Sequence, residues 1–220
     1  MNTLFALSLL ATSVMATDVA RDPELVADIK TAPSALDALK LVQDNFTFDF
    51  TTHEYYSYEP GGVVNANAAT WPTVTNQGLT MAWLALGPCA MLPPHYHPRA
   101  TNFVVAVEGE TKTWMIQENG ADVVETVLTP GKMTIFPQGS LHSMQNTGCG
   151  NATLISALNS EDAGTHNVLT GLFKLPNDIV QAAFGGADVS GLGGGVPHVA
   201  TGANIGSAEC LARCQSQGRL

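Results

Sequence analysis

Three histidines carry the residue types and spacing that chemistry needs. In Pro93-Pro94-His95-Tyr96-His97-Pro98 two imidazoles stand two residues apart, and on an extended strand such residues project to one face. The flanking prolines forbid helix and hold the backbone extended. Both rings are therefore expected to point into a barrel interior, oriented before any ion arrives. The third, His142, follows a tight-turn signal at Pro137-Gln138-Gly139 in GKMTIFPQGSLHSMQN. An H-x-H pair by itself is as often a satisfied polar pair as a ligand pair. A third histidine in its own turn context shifts the balance toward a metal site. Three neutral imidazoles suit zinc, copper, iron, manganese or nickel, with at least one coordination position open to water or substrate.

Other candidates are weaker. Met144 lies two residues after His142; its thioether would favour copper, but a methionine in a strand is expected to be core filler. His53, His166 and His198 are isolated and are left out of the site. Trp83, Phe103, Trp114 and Phe136 are expected to fill the barrel, keep the site dry and shape its entrance.

The elements that must position these residues change in type along the chain. From Pro23 to Gln43 the apolar residues Leu25, Ile29, Leu36, Leu39 and Val42 have helical spacing, broken at Ala32-Pro33-Ser34, which predicts two short helices. From about Phe46 to Leu158 short runs follow, among them MAWLAL, NFVVAV, TKTWMI, VVETVL, KMTIF and ATLISAL. Turn signals at Pro60-Gly61-Gly62, Glu118-Asn119-Gly120, Thr129-Pro130-Gly131 and Pro137-Gln138-Gly139 separate them closely. That is the rhythm of a mainly β, antiparallel barrel or sandwich. Asn177-Asp178 followed by IVQAAF and Gly185 predicts a helix after it. Eight of the 22 residues from Gly185 to Gly206 are glycine, which predicts a flexible segment or an arm lying on a neighbour. A last helix is expected around Ala208 to Gln215.

With 45% hydrophobic and 13% charged residues over 220 positions, the chain is globular rather than disordered. A formal net charge of −10 repels phosphates and anionic lipid, so neither nucleic acid nor a membrane is an expected partner. The opening MNTLFALSLLATSVMA, uncharged and too short to span a bilayer, predicts a signal peptide cleaved after Ala16. Sequons at Asn45 and Asn151 and an even set of four cysteines agree with secretion. Of the three possible pairings, Cys210 with Cys214 and Cys89 with Cys149 is favoured here, from sequence proximity and from both members of the second pair flanking the barrel.

These residues resemble the two-box pattern of the cupins, and within them the germin-like proteins and spherulins. The first box is HYHPRATN, then six residues and Gly109. The second is Gly131, five residues, Pro137-Gln138-Gly139, two residues, His142, three residues and Asn146. The lead-in Asn76-Gln77-Gly78-Leu79 and the trailer SALNSEDAGTHNVLTGLF extend the resemblance, while the tail after Gly186 and the long interval from Gly87 to His95 depart from it.

The resemblance implies a cupin jelly-roll β-barrel with short flanking α-helices and one divalent transition-metal ion inside. Together with the readings above, the resemblance divides the chain into a signal peptide (1–16), an N-terminal helical segment (17–45), a cupin domain (46–186) and a Gly-rich C-terminal extension with a short Cys-containing helix (187–220). It implies manganese, oxalate oxidase or superoxide dismutase activity, and homo-oligomers that are trimers or hexamers. It also implies a secreted protein, with a wall-associated or storage role as an alternative to catalysis.

One departure bears on all of this. Where germins place a glutamate ligand, five residues after the second histidine, this chain has Asn102. A neutral amide leaves the site one unit more positive, which disfavours Mn(III), makes Cu(II) or Zn(II) compatible, and attracts anionic ligands. Asn102 is then a weak fourth ligand or a hydrogen bonder to bound water. Glu108, six residues along the strand, would lie about 20 Å away, so a substitute carboxylate would have to come from the N-terminal segment, for example Glu54 or Glu59. The expected function is a secreted metal-binding protein that takes a small-molecule or anionic ligand at the ion.

Overall fold

The computed structural model describes residues 18–200 and 202–219; the expected signal peptide lies outside them. Eleven strands form the body: β1 (Gly61–Ala66), β2 (Thr80–Leu86), β3 (Ala90–Tyr96), β4 (Asn102–Glu108), β5 (Thr111–Ile116), β6 (Val124–Leu128), β7 (Met133–Phe136), β8 (Leu141–Asn146), β9 (Ala152–Leu158), β10 (His166–Asn167) and β11 (Asn204–Ile205). They make two antiparallel sheets, one ordered β1-β2-β9-β4-β7 and the other β10-β3-β8-β5-β6, with β11 also on β3. Neighbours far apart in sequence, such as β3 with β8 and β4 with β9, are the crossovers of a jelly roll.

Alternation explains which residues meet between the sheets. In β2 Ala82, Leu84 and Leu86 are buried, and in β4 Asn102, Val104 and Ala106, while Phe103 and Val107 turn outward. The buried positions of both sheets join in one core with Phe136, Met144, Leu154 and Leu158. Of the four aromatic residues expected to fill the barrel, only Phe136 does. Phe103 is 41% exposed. Trp83 packs outside, 6.0 Å from the Phe50 ring, and Trp114 lies under the Lys112 ammonium. The error was one of phase: side chains alternate across a strand, so an aromatic residue beside an inward one faces out.

Among the described residues two helices precede the barrel, α1 (Pro23–Thr31) and α2 (Ala35–Val42), each capped by a side chain, Asp22 and Ser34, that accepts a backbone N–H of the first turn. After the barrel come α3 (Val168–Leu172) and α4 (Asn177–Ala183), and α5 (Ala208–Ser216) ends the fold. The Pro60-Gly61-Gly62 signal falls where a turn over residues 58–60 meets the start of β1 at Gly61.

The tail behaves otherwise than expected. It folds back on its own barrel, where Asn204 and Ile205 pair with Met91 and Ala90 of β3. The Gly206 N–H donates to the Cys89 carbonyl at 2.9 Å. A Cβ at Gly206 would stand 2.3 Å from that oxygen, so only glycine allows the approach. The disulfides differ too: they join Cys89 to Cys210 and Cys149 to Cys214. Cys210 and Cys214 are four apart on α5, which puts their Cβ atoms about 5–6 Å apart, whereas a disulfide needs about 3.5–4.5 Å. Each therefore reaches a different cysteine of the barrel.

Candidate metal centre

The local sequence around each histidine explains its position. Pro93 and Pro94 donate no ladder hydrogen bonds, and the β3–β8 register shifts where they sit, between Leu92 and His95. Beyond the shift His95 stands directly opposite His142. His97 comes one residue after β3 ends. Its carbonyl accepts the Gly139 N–H at 3.1 Å, tying the first histidine segment to the turn before the second. That turn needs φ of +77° at Gly139, which L side chains rarely adopt.

The three rings converge. Centroids are 4.3 Å apart for His95 and His142 and 5.3 Å for each of the other two pairs. Their candidate ligand nitrogens all lie within 4.8 Å of one another, and all three residues are buried. Phe136 stacks on the His142 ring at 4.1 Å, nearly parallel.

Each ring is also held in one tautomer. Nδ1 of His95 bonds the Pro93 carbonyl at 2.7 Å, that of His97 the Gly164 carbonyl at 2.7 Å, and that of His142 the Ser140 carbonyl at 2.9 Å. A carbonyl only accepts, so Nδ1 carries the hydrogen and Nε2 is left with a bare lone pair. Burial keeps the rings neutral. It pushes His142 down to about 2 and His95 down to about 4, with the neighbouring imidazoles adding to the effect. His97 is lowered by burial as well, against the bond to Gly164.

Two buried atoms in this group have no partner: Nε2 of His142 and Oδ1 of Asn102. Asn102 reaches the group from β4 of the opposite sheet, and its Nδ2 donates to Nε2 of His97 at 3.4 Å. Unpartnered buried polar atoms carry a cost that a ligand would remove, and three convergent neutral imidazoles are a donor set that fits a divalent transition metal.

No carboxylate joins them. Among the described residues the group contains the three histidines alone. Glu54 pairs with Arg21 on the surface and Glu59 is exposed. Glu108 and Glu110 accept from Thr153 and Thr147 instead.

A cavity of about 40 Å³ adjoins His95 and His97, walled by Val63, Leu84, Leu92, Met144 and Leu158 and by the amides of Asn65, Asn102 and Asn167. At about 10–15 Å³ per water it has room for roughly three. Ala200 and Gly202 of the tail close one side of it. A larger pocket of about 330 Å³ shares His97, Asn65, Leu158 and Thr165 with the cavity. Met144 lines the cavity as fully buried filler. His53, His166 and His198 stay away from the centre: His53 bonds Arg21, His166 stacks on Tyr96, and His198 is exposed. Sequence reasoning did not find Asn65 or the tail residues. Alternation with Val63 along GGVVNA was the signal that could have placed Asn65 on the inner wall.

Comparison with known proteins agrees with this architecture. The family profile described as Cupin matches residues 50–189. Spherulin-1A of Physarum polycephalum is 32% identical over 198 residues, covering 89% of this chain and 80% of the spherulin. Germin-like protein 1-1 of Oryza sativa subsp. japonica is 31% identical over 186 residues, 78% of this chain and 86% of that protein. A solved structure of recombinant oxalate oxidase in complex with glycolate superposes with a TM-score of 0.56 at 23% identity, over 64% of this chain and 77% of the other, a likeness of fold. With the family profile spanning most of the barrel and a full-length relative above 30% identity, the chain belongs to the cupin family.

Proposed function

We propose that the protein is a secreted metal-binding cupin that holds one divalent transition-metal ion on Nε2 of His95, His97 and His142, with Asn102 as a weak ligand or a partner of bound water. The observation that carries this is the shared tautomer: three backbone carbonyls take the three Nδ1 hydrogens, so three unprotonated Nε2 atoms are left to converge in one buried space. A divalent ion there would act as a Lewis acid on whatever small molecule occupies its open position. The chain's own part is to hold the imidazoles neutral, to keep water few through the aliphatic wall, and to present an amide rather than a carboxylate at Asn102.

With neutral donors only, the ion keeps its full charge. That favours Cu(II) or Zn(II) over a manganese that must reach Mn(III), and it separates this site from the oxidase and dismutase activities that the family resemblance implies. Extracellular placement is part of the proposal, supported by the two disulfides, which form and persist in oxidising compartments. The test is calorimetric titration of the metal-stripped protein with Zn(II), Cu(II) and Mn(II). One ion per chain is expected for wild type, with affinity falling at least 100-fold in His97→Ala. Failure of wild type to take up any of the three refutes the proposal.

A further inference from the structure

Position 156 carries a serine where an alanine would be cheaper. Ser156 lies on the inner face of β9 between Leu154 and Leu158 and is 2% exposed. Its cross-strand neighbours are Ala82 on β2 and Val104 on β4, and neither side chain can donate or accept a hydrogen bond. The Ser156 Oγ has no partner. A buried hydroxyl without one carries a cost that an alanine at the same place would not.

The hydroxyl belongs to the histidine site by position. Ser156 lines the cavity that adjoins His95 and His97. Among the described residues, only two of the buried side-chain atoms without a partner come from residues that line this cavity: Oγ of Ser156 and Oδ1 of Asn102. Asn102 marks the histidine end, since its Nδ2 reaches Nε2 of His97. Asn102 stands opposite Leu158 and Val104 opposite Ser156, which makes Asn102 and Ser156 diagonal neighbours across β4 and β9, about 7–8 Å apart. A ligand of three non-hydrogen atoms covers that interval once a metal bond is added at one end and a hydrogen bond at the other. Room sets the same limit as reach, because about 40 Å³ holds roughly three water-sized groups.

We propose that Ser156 is the far-end contact for a ligand of the histidine-bound ion, and that it selects small monoanions of about three non-hydrogen atoms with a metal-binding atom at one end and a hydrogen-bond acceptor at the other. The inference rests on the metal-binding proposal above. An ion held by neutral donors keeps its charge and attracts the anion. The Ser156 hydroxyl then donates to the distal atom, and the aliphatic walls of Val63, Leu84 and Met144 leave no space for a bulkier ligand.

Azide and formate are the probes of this class, titrated spectroscopically into the Cu(II)-loaded full chain. Chloride, a single atom, binds an ion without reaching Ser156, and pivalate carries the formate carboxylate on a bulky tert-butyl group. Azide and formate are expected to bind Ser156→Ala about five- to twentyfold more weakly than wild type, the scale of one hydrogen bond to a charged acceptor. Chloride should change by less than about twofold. Pivalate should bind wild type at least tenfold more weakly than formate. The metal-free Ser156→Ala protein is expected to melt within 2 °C of wild type or above it, because its hydroxyl had no bond to lose; a larger fall would make the hydroxyl structural and overturn the proposal. Unchanged azide affinity, equal weakening of azide and chloride, or pivalate binding as tightly as formate overturns it as well. Absence of Cu(II) uptake, seen before any probe is added, would instead refute the metal-binding proposal itself.

Discussion

The histidine centre and the C-terminal tail lie against each other, yet they are built by different means. The centre is made by strands. Alternation turns His95 and His142 inward, prolines fix the strand that leads to His97, and a glycine turn places the segment before His142. The tail has no such pattern. It is held by one two-residue strand pairing, one close glycine approach and two disulfides, and it supplies Ala200 and Gly202 to the same cavity. Local rules fix the first region; covalent and long-range contacts fix the second.

Removing the bonds that hold the tail should therefore affect stability most. The Cys89–Cys210 and Cys149–Cys214 bridges span 121 and 65 residues. Replacing both members of the first by serine is expected to cost about 2–5 kcal/mol, or roughly 5–15 °C in melting temperature at this chain length, measured by calorimetry. A drop under 2 °C would mean that the tail stays docked without its bridge.

The centre should lose stability as pH falls below neutrality. His95 and His142 have folded values near 4 and 2, against 6.5 for a free imidazole. Above about pH 6.5 both states are neutral and stability is full. As pH falls below that, the unfolded chain binds protons that the folded one refuses, so stability declines progressively toward the folded values. For the metal-free protein a loss of about 3–6 °C per pH unit per histidine is expected between pH 6 and 4. His142→Asn should flatten this slope, and an equally steep slope in that variant would locate the protons elsewhere.

This contrast also marks how much the sequence discloses. The two N-terminal helices, the alternating strands, the helix before Gly185 and the clustering of His95, His97 and His142 follow from patterns a few residues long, and the structure has them. The cysteine partners and the docking of the tail depend on contacts more than 60 residues apart, for which no local pattern exists. The outward turn of Trp83, Phe103 and Trp114 depends on strand phase, which hydrophobicity alone does not define where both faces are apolar. Asn65 was missed for a related reason: its place on the inner wall rests on the phase of β1.

A finer test within the centre is Asn102→Glu, which adds a carboxylate from the sheet opposite His95 and His142. Manganese(II) affinity is expected to rise about tenfold, with the metal-free variant less stable than wild type because a buried charge then lacks a partner. Unchanged manganese affinity would show that the amide at Asn102 does not set the metal preference.

The most direct test is crystallographic. Crystals of the protein loaded with one metal at a time, measured on either side of the Mn, Cu and Zn absorption edges, should give a single anomalous peak bounded by Nε2 of His95, His97 and His142, at about 2.0–2.1 Å from each nitrogen for zinc. A peak elsewhere in the chain, or none between those three nitrogens, would contradict the site.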